Sequence, residues 1–213
     1  MKWGIVKQAR QQAKRMEAKG IRTNASETFK TAQKAIKDNI AARIDRINEN
    51  EDLTKKEKTA QRKAARVAEK EMMETAAKNY LGSGMATISG IKQAFKEIKE
   101  EFDDVEVTFK VGNETITYNP RDLMEGATKG DPKLMAEYMD ADENHRKEME
   151  ARHIVGSDAI QQLAEAQQSG KYSAALFYDN LRKAAAAVQT GRKKSPDELQ
   201  SFIYKLDEDA RFL

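Results

Sequence analysis

Cysteine is absent from this 213-residue chain. Its absence excludes disulfides, thiolate nucleophiles and cysteine-based zinc or iron–sulfur centres, and fits a reducing compartment. Proline occurs three times and glycine eleven times, so long stretches run without a helix breaker. No apolar run approaches the ~20 residues of a membrane-spanning helix. The start MKWGIVKQARQQAK is basic, but its apolar patch is only Trp3 to Val6, short of the roughly 7–15 residues of a secretory signal. The expected location is the cytoplasm, or a particle such as a virion packaged from it. Trp3, Ile5 and Val6 beside Lys2 and Lys7 make a weak interfacial anchor, and a membrane is not the expected partner.

Charge is abundant. Charged residues make up 34% of the chain, hydrophobic residues 39%, and the mean hydropathy is −0.82. Periodic apolar positions at that level argue against disorder, and a composition rich in Ala, Lys, Glu, Gln and Arg favours helices. The net charge of +3 is unevenly spread: residues 1–80 hold 20 Lys/Arg against 11 Asp/Glu, and residues 81–213 hold 18 against 24. The glycine-rich stretch YLGSGMATISG, residues 80–90, sits at the border.

The apolar spacing predicts a mainly α fold, with an extended N-terminal helical arm or hairpin and a smaller helical body that carries one β-hairpin at about 105–118. The expected division is a basic arm (1–81), a glycine-rich break (82–90) and an acidic body (91–213). In the first helix, about Trp3 to Ala18, Val6, Ala9, Ala13 and Met16 form a narrow seam. The second opens at Asn24 or Ser26 and carries Phe29, Ala32, Ile36, Ile40, Ile44 and Ile47. Thr54 to Glu57 has the capping-box pattern for a third, whose stripe is Ala60, Ala64, Val67, Ala68, Met72 and Ala76. Two long helices joined by a short polar turn read as an antiparallel pair.

After a fourth helix marked by Ile88, Ile91, Phe95 and Ile98, the period changes to two. Val105, Val107, Phe109 and Val111 alternate with polar residues, and Gly112-Asn113 suits a two-residue turn. That turn pairs Phe109 with Ile116 and Val107 with Tyr118. Asn119-Pro120 opens a short helix before EGATKGD, and Asp131-Pro132 opens a longer one reaching about His153. Glycine-bounded residues 156–170 form another helix. Ser173 caps the next, with Ala174, Phe177, Leu181, Ala184 and Val188, and Ser195-Pro196 opens the last, with Leu199, Phe202, Ile203, Leu206, Ala210 and Leu213.

Signals for chemistry are few. Gly82 and Gly84 begin a dinucleotide fingerprint, but Thr87 takes the third position and a helix precedes; no Walker lysine follows any glycine. Asp140, Asp142 and Asn144 match the first ligands of a calcium loop, but His145 replaces its glycine and Ala151 its final glutamate. His145 and His153, the two histidines, have no recognisable nucleophile motif. The expectation is therefore a non-catalytic chain with no cofactor and no bound metal.

The leading reading is a structural or assembly component of a larger complex, acting through helix-mediated contacts in a homo- or hetero-oligomer. The composition suits a phage virion or mobile-element accessory protein. Candidate interface residues are Val6, Ala13, Met16, Phe109, Ile116, Tyr118, Phe202 and Leu206. The alternative is a nucleic-acid-binding protein, with DNA or RNA phosphates contacted by Lys7, Arg10, Lys14, Arg62, Lys63, Arg66 and Lys70.

Overall fold

A computed structural model describes residues 4–211. Trp3, the proposed start of the first helix and of the interfacial anchor, and Leu213, the end of the last stripe, lie outside the described residues. The fold is mainly α, with ten helices and one two-stranded antiparallel sheet among the described residues. The chain divides into two compact units, residues 1–94 and 95–213.

Unit 1 is built from α1 (Gly4–Ala18), α2 (Asn24–Glu49) and α3 (Lys55–Gly82). Thr23 caps α2 rather than Asn24, and Ser26 completes the capping box by returning its hydroxyl to the Thr23 amide. The Thr54–Glu57 box opens α3 as the sequence specifies. The helices α2 and α3 pack along each other, and at the rise of 1.5 Å per residue each is roughly 40 Å long. Near the turn between them the buried apolar side chains are few: Ile40 and Ile47 on α2 and Ala65 on α3. At the opposite end α1 packs on α3, and Val6, Ala9, Ala13, Phe29, Met73, Ala77 and Tyr80 form one cluster. Phe29 and Tyr80 stack there with ring centroids 5.0 Å apart.

The stripe read for α3 is displaced. The helix turns Ala65, Met73, Ala77 and Tyr80 inward, mostly one position beyond the predicted residues, a rotation of about 100°. Both faces of α3 are apolar enough to fit a helical period, so spacing alone could not choose between them.

Helix α4 (Ile88–Glu100) runs across the division between the units. In unit 2, β1 (Val107–Val111) and β2 (Glu114–Tyr118) pair in the expected register, Val111 with Glu114, Phe109 with Ile116 and Val107 with Tyr118. Val105 lies outside the strand. The helices are α5 (Pro120–Thr128), α6 (Pro132–Asp140), α7 (Glu143–Ile154), α8 (Ser157–Gln168), α9 (Ala174–Gln189) and α10 (Pro196–Arg211).

Two boundaries differ from expectation. Helix α5 continues through Glu125-Gly126-Ala127, and Ile154 packs closely on Gly126: a Cβ there would come within 2.9 Å of the isoleucine Cδ1. The single helix expected over 132–153 is two, broken at Ala141. Asp142 accepts a hydrogen bond from the His145 amide and so starts a new helix.

Helix α9 is the centre of unit 2. It packs against α5, α7, α8, α10 and β2, and Ala184 to Ala187 are all fully buried. Four consecutive buried alanines are buried on every side of the helix, so this stretch lies in the core, and small side chains let its neighbours come close. The hairpin lays its apolar face here, β2 on α9 and β1 on α10. This supplies the support that an isolated hairpin needs.

Candidate functional site

The residues singled out for chemistry or contact fall into three groups. In the glycine-rich stretch, Gly84 takes a left-handed φ of 74°. Gly90 packs so closely on it that an added Cβ would sit 2.0 Å from the Gly84 carbonyl oxygen. The Gly90 amide donates to Thr87 Oγ1 at 2.9 Å, and the Ile91 amide to the Thr87 carbonyl. One of the first-turn amides that a phosphate would use at the start of α4, that of Gly90, is thus engaged by Thr87. The stretch is a tight bend between two helices.

The basic residues divide between two helices. Lys7, Arg10 and Lys14 lie on α1, and Arg62, Lys63, Arg66 and Lys70 on α3. Arg62 precedes Met73, where α1 packs, by about three helical turns. Several are already engaged: Arg10 donates to Gln33 and Arg62 to Asn48, while Arg66 pairs with Glu69 and Lys70 with Glu74. Lys7, Lys14 and Lys63 make no ion pair among the described residues and are exposed. The α3 residues alternate with carboxylates, as on a solvated helix face.

The candidate interface residues are mostly interior. Val6 and Ala13 belong to the α1–α3 cluster, and Met16 is also buried. Ile116, Tyr118, Phe202 and Leu206 are buried in the main cluster of unit 2, with Phe109 half-buried against it and stacked on Tyr118 at 5.4 Å. Their helical or alternating spacing marks the chain's own core, and of the eight only Phe109 keeps partial exposure. A different apolar face is open. On α3, Ala60 and Ala64 are exposed, Val67 is 49% exposed and Met72 40%, and Ala68 is half-buried. These are five of the six residues of the stripe read from the sequence.

One arrangement escaped the sequence entirely. Glu150, on α7, is 1% exposed. Its Oε1 accepts from the Tyr138 hydroxyl at 2.7 Å, and its Oε2 from Arg182 Nε at 3.2 Å. Arg146 extends the cluster: its Nε donates to the Tyr138 carbonyl at 3.0 Å and its guanidinium lies over the Tyr138 ring. Nearby, Lys147 bridges Glu143 and Asp179. Burial raises the Glu150 carboxyl above the usual range, and the Arg182 charge works against that shift. Burial also pushes the Tyr118 phenol, close to Arg182, up to about 12, and the Tyr138 phenol higher still. The cluster ties α6, α7 and α9 together. No periodic rule marks Glu150, one of three glutamates in the ENHRKEME run of α7; what distinguishes it is its place against α9, a tertiary property.

Elsewhere in the acidic run, Asp142 is engaged as the α7 cap, and His145 lies 3.1 Å from Glu137. No group of three or more metal-ligating side chains is found among the described residues. No described helix is long and apolar enough to cross a membrane. The chain matches no protein-family model, no curated protein and no solved structure.

Proposed function

We propose that this chain is a structural component that assembles through helix-to-helix contacts, with the outer face of α3 as the contact surface. One observation carries the reading. A 28-residue helix keeps a second apolar row, Ala60, Ala64, Val67, Ala68 and Met72, after its inner row has been buried. Small residues along such a row permit close approach of another helix, and the valine and methionine supply apolar area to bury. Two charges accompany the row, Lys63 on its flank and Glu71 within it, and such charges can pair across a helical interface. The partner is a second copy of this chain or another component of a larger particle, and the copy is the partner the purified chain can test alone.

The test is solution mass. By light scattering the chain is expected above its monomer mass of 24.0 kDa, with the excess growing with concentration. Val67→Glu with Met72→Glu is expected to return it to the monomer with helix content intact, since both side chains reach solvent. A monomer at every concentration removes self-assembly. A nucleic-acid reading draws on Lys7, Lys14 and Lys63, and stands only if DNA or RNA binding at low salt weakens steeply as salt rises.

A further inference from the structure

The outer face of α3 carries a direction as well as an apolar row. Val67 stands near the middle of the helix and is 49% exposed. Charge is unequal on its two sides. Residues 55–66 hold six basic side chains and one acidic, while residues 68–79 hold two basic and three acidic. The N-terminal half is therefore strongly positive and the C-terminal half weakly negative.

This asymmetry decides how a second copy can lie on the same face. In a parallel pair related by a twofold axis, each half lies along its own equivalent, positive against positive. In an antiparallel pair centred on Val67, a residue a given number of positions before it lies level with the residue as many positions after it in the other copy. The positive half then lies along the negative half, and symmetry repeats the match. Juxtaposed like charges disfavour a pairing, and charges flanking a helical seam set the orientation of the helices.

Two side chains make the match specific. Lys63 and Glu71 stand four residues before and four after Val67, each about 6 Å away along the axis. At about 100° per residue both lie within roughly 40° of Val67 around the helix, on the side where it would meet its copy. Both are exposed, and neither makes an ion pair among the described residues. Their charged neighbours are already engaged, Arg66 with Glu69 and Lys70 with Glu74. Antiparallel pairing sets Lys63 of each copy level with Glu71 of the other. Parallel pairing sets lysine on lysine and glutamate on glutamate.

We propose that two copies of this chain pair antiparallel through α3, with Val67 against Val67 at the twofold axis and Lys63 of each copy paired with Glu71 of the other. This rests on the assembly reading above and adds to it the partner and its direction.

The experiment measures dimer affinity at low salt by sedimentation for four full-length chains: the wild type, Lys63→Glu, Glu71→Lys, and the two changes together. Each single reversal sets two like-charge contacts in place of two pairs and is expected to weaken the dimer roughly tenfold. The double reversal keeps every pair and is expected to restore wild-type affinity. Circular dichroism checks that each variant keeps its helix content. A second measurement reads direction without touching the charges. The chain has no cysteine, so a spin label can be placed singly on Ala60→Cys. Antiparallel copies hold these labels about 21 Å apart along the axis, whereas parallel copies hold them level, at the helix spacing of about 8–10 Å. A dimer of equal affinity in all four chains, or labels lying side by side, overturns the antiparallel pairing and leaves assembly through α3 standing. A monomer at every concentration overturns both.

Discussion

The arm and the body hold themselves together differently. In unit 1 the α2–α3 pair is joined by a thin apolar seam, with Ile40, Ile47 and Ala65 as its buried apolar members towards the turn. In unit 2, α9 is enclosed by five other elements and shares a buried ion pair, Arg182 with Glu150, with α7. A long helical pair with a thin seam keeps its outer faces available to partners. A body whose central helix is enclosed uses its apolar side chains internally. The contrast explains why the exposed apolar row is found on α3, while the residues expected to meet partners in the hairpin and α10 are buried apart from the half-buried Phe109.

The largest expected effect breaks the body. Arg182→Ala leaves the Glu150 carboxylate buried and uncompensated, and is expected to cost about 3–5 kcal/mol, the range for removing one partner of a buried pair. Urea unfolding followed by circular dichroism, beside the Lys147→Ala variant, checks it. A loss as small as that of Lys147→Ala, whose pairs with Glu143 and Asp179 reach solvent, would show that the buried pair does not dominate unit 2.

A smaller effect is expected at the bend. Gly90→Ala places a methyl where the Gly84 carbonyl already lies, and overpacking of this kind costs about 1–3 kcal/mol. Thermal unfolding of the variant measures it, with Gly82→Ala, whose Cβ meets nothing within 4 Å, as the neutral companion. Next comes the arm's turn. Thr54→Ala removes the oxygen that accepts from the Glu57 amide, and cap removal of this kind costs about 1 kcal/mol. Hydrogen exchange should show faster opening in the first turns of α3 and no change in α9.

The smallest effect concerns pH. Burial, then the nearby charges of Lys129 and Arg152, holds His153 below its ordinary value of 6.5. The fold therefore favours the neutral ring. Its contribution is present above pH 6.5 and is lost as pH falls through the depressed folded value. Comparing urea midpoints at pH 7 and pH 5, the wild type is expected to lose more stability than His153→Gln. An equal loss would show that His153 titrates as in the unfolded chain.

Much of the architecture was readable because it follows from local rules. The Thr54–Glu57 box, the Asn119-Pro120 and Asp131-Pro132 starts and the β1–β2 register each depend on a few neighbouring residues, and the structure has them all. The break at Asp142 was readable in principle, since aspartate three residues before His145 is a cap, but the charged run on either side hid it. The choice between the two rows of α3 was not readable. Ala64 and Ala65, or Met72 and Met73, are chemically equivalent neighbours, and only the position of α2 and α1 decides which one is buried. The Glu150–Tyr138–Arg182 cluster joins residues 12 and 32 positions apart, and no spacing rule links them.

The most direct measurement is the distance between spin labels placed at residue 67 of α3 in two copies of the full chain. If the outer row of α3 is a contact surface between copies, a short intermolecular distance should appear on concentration, and Met72→Glu should abolish it. Labels that stay monomeric and uncoupled at every concentration, while the fold remains intact, would contradict it.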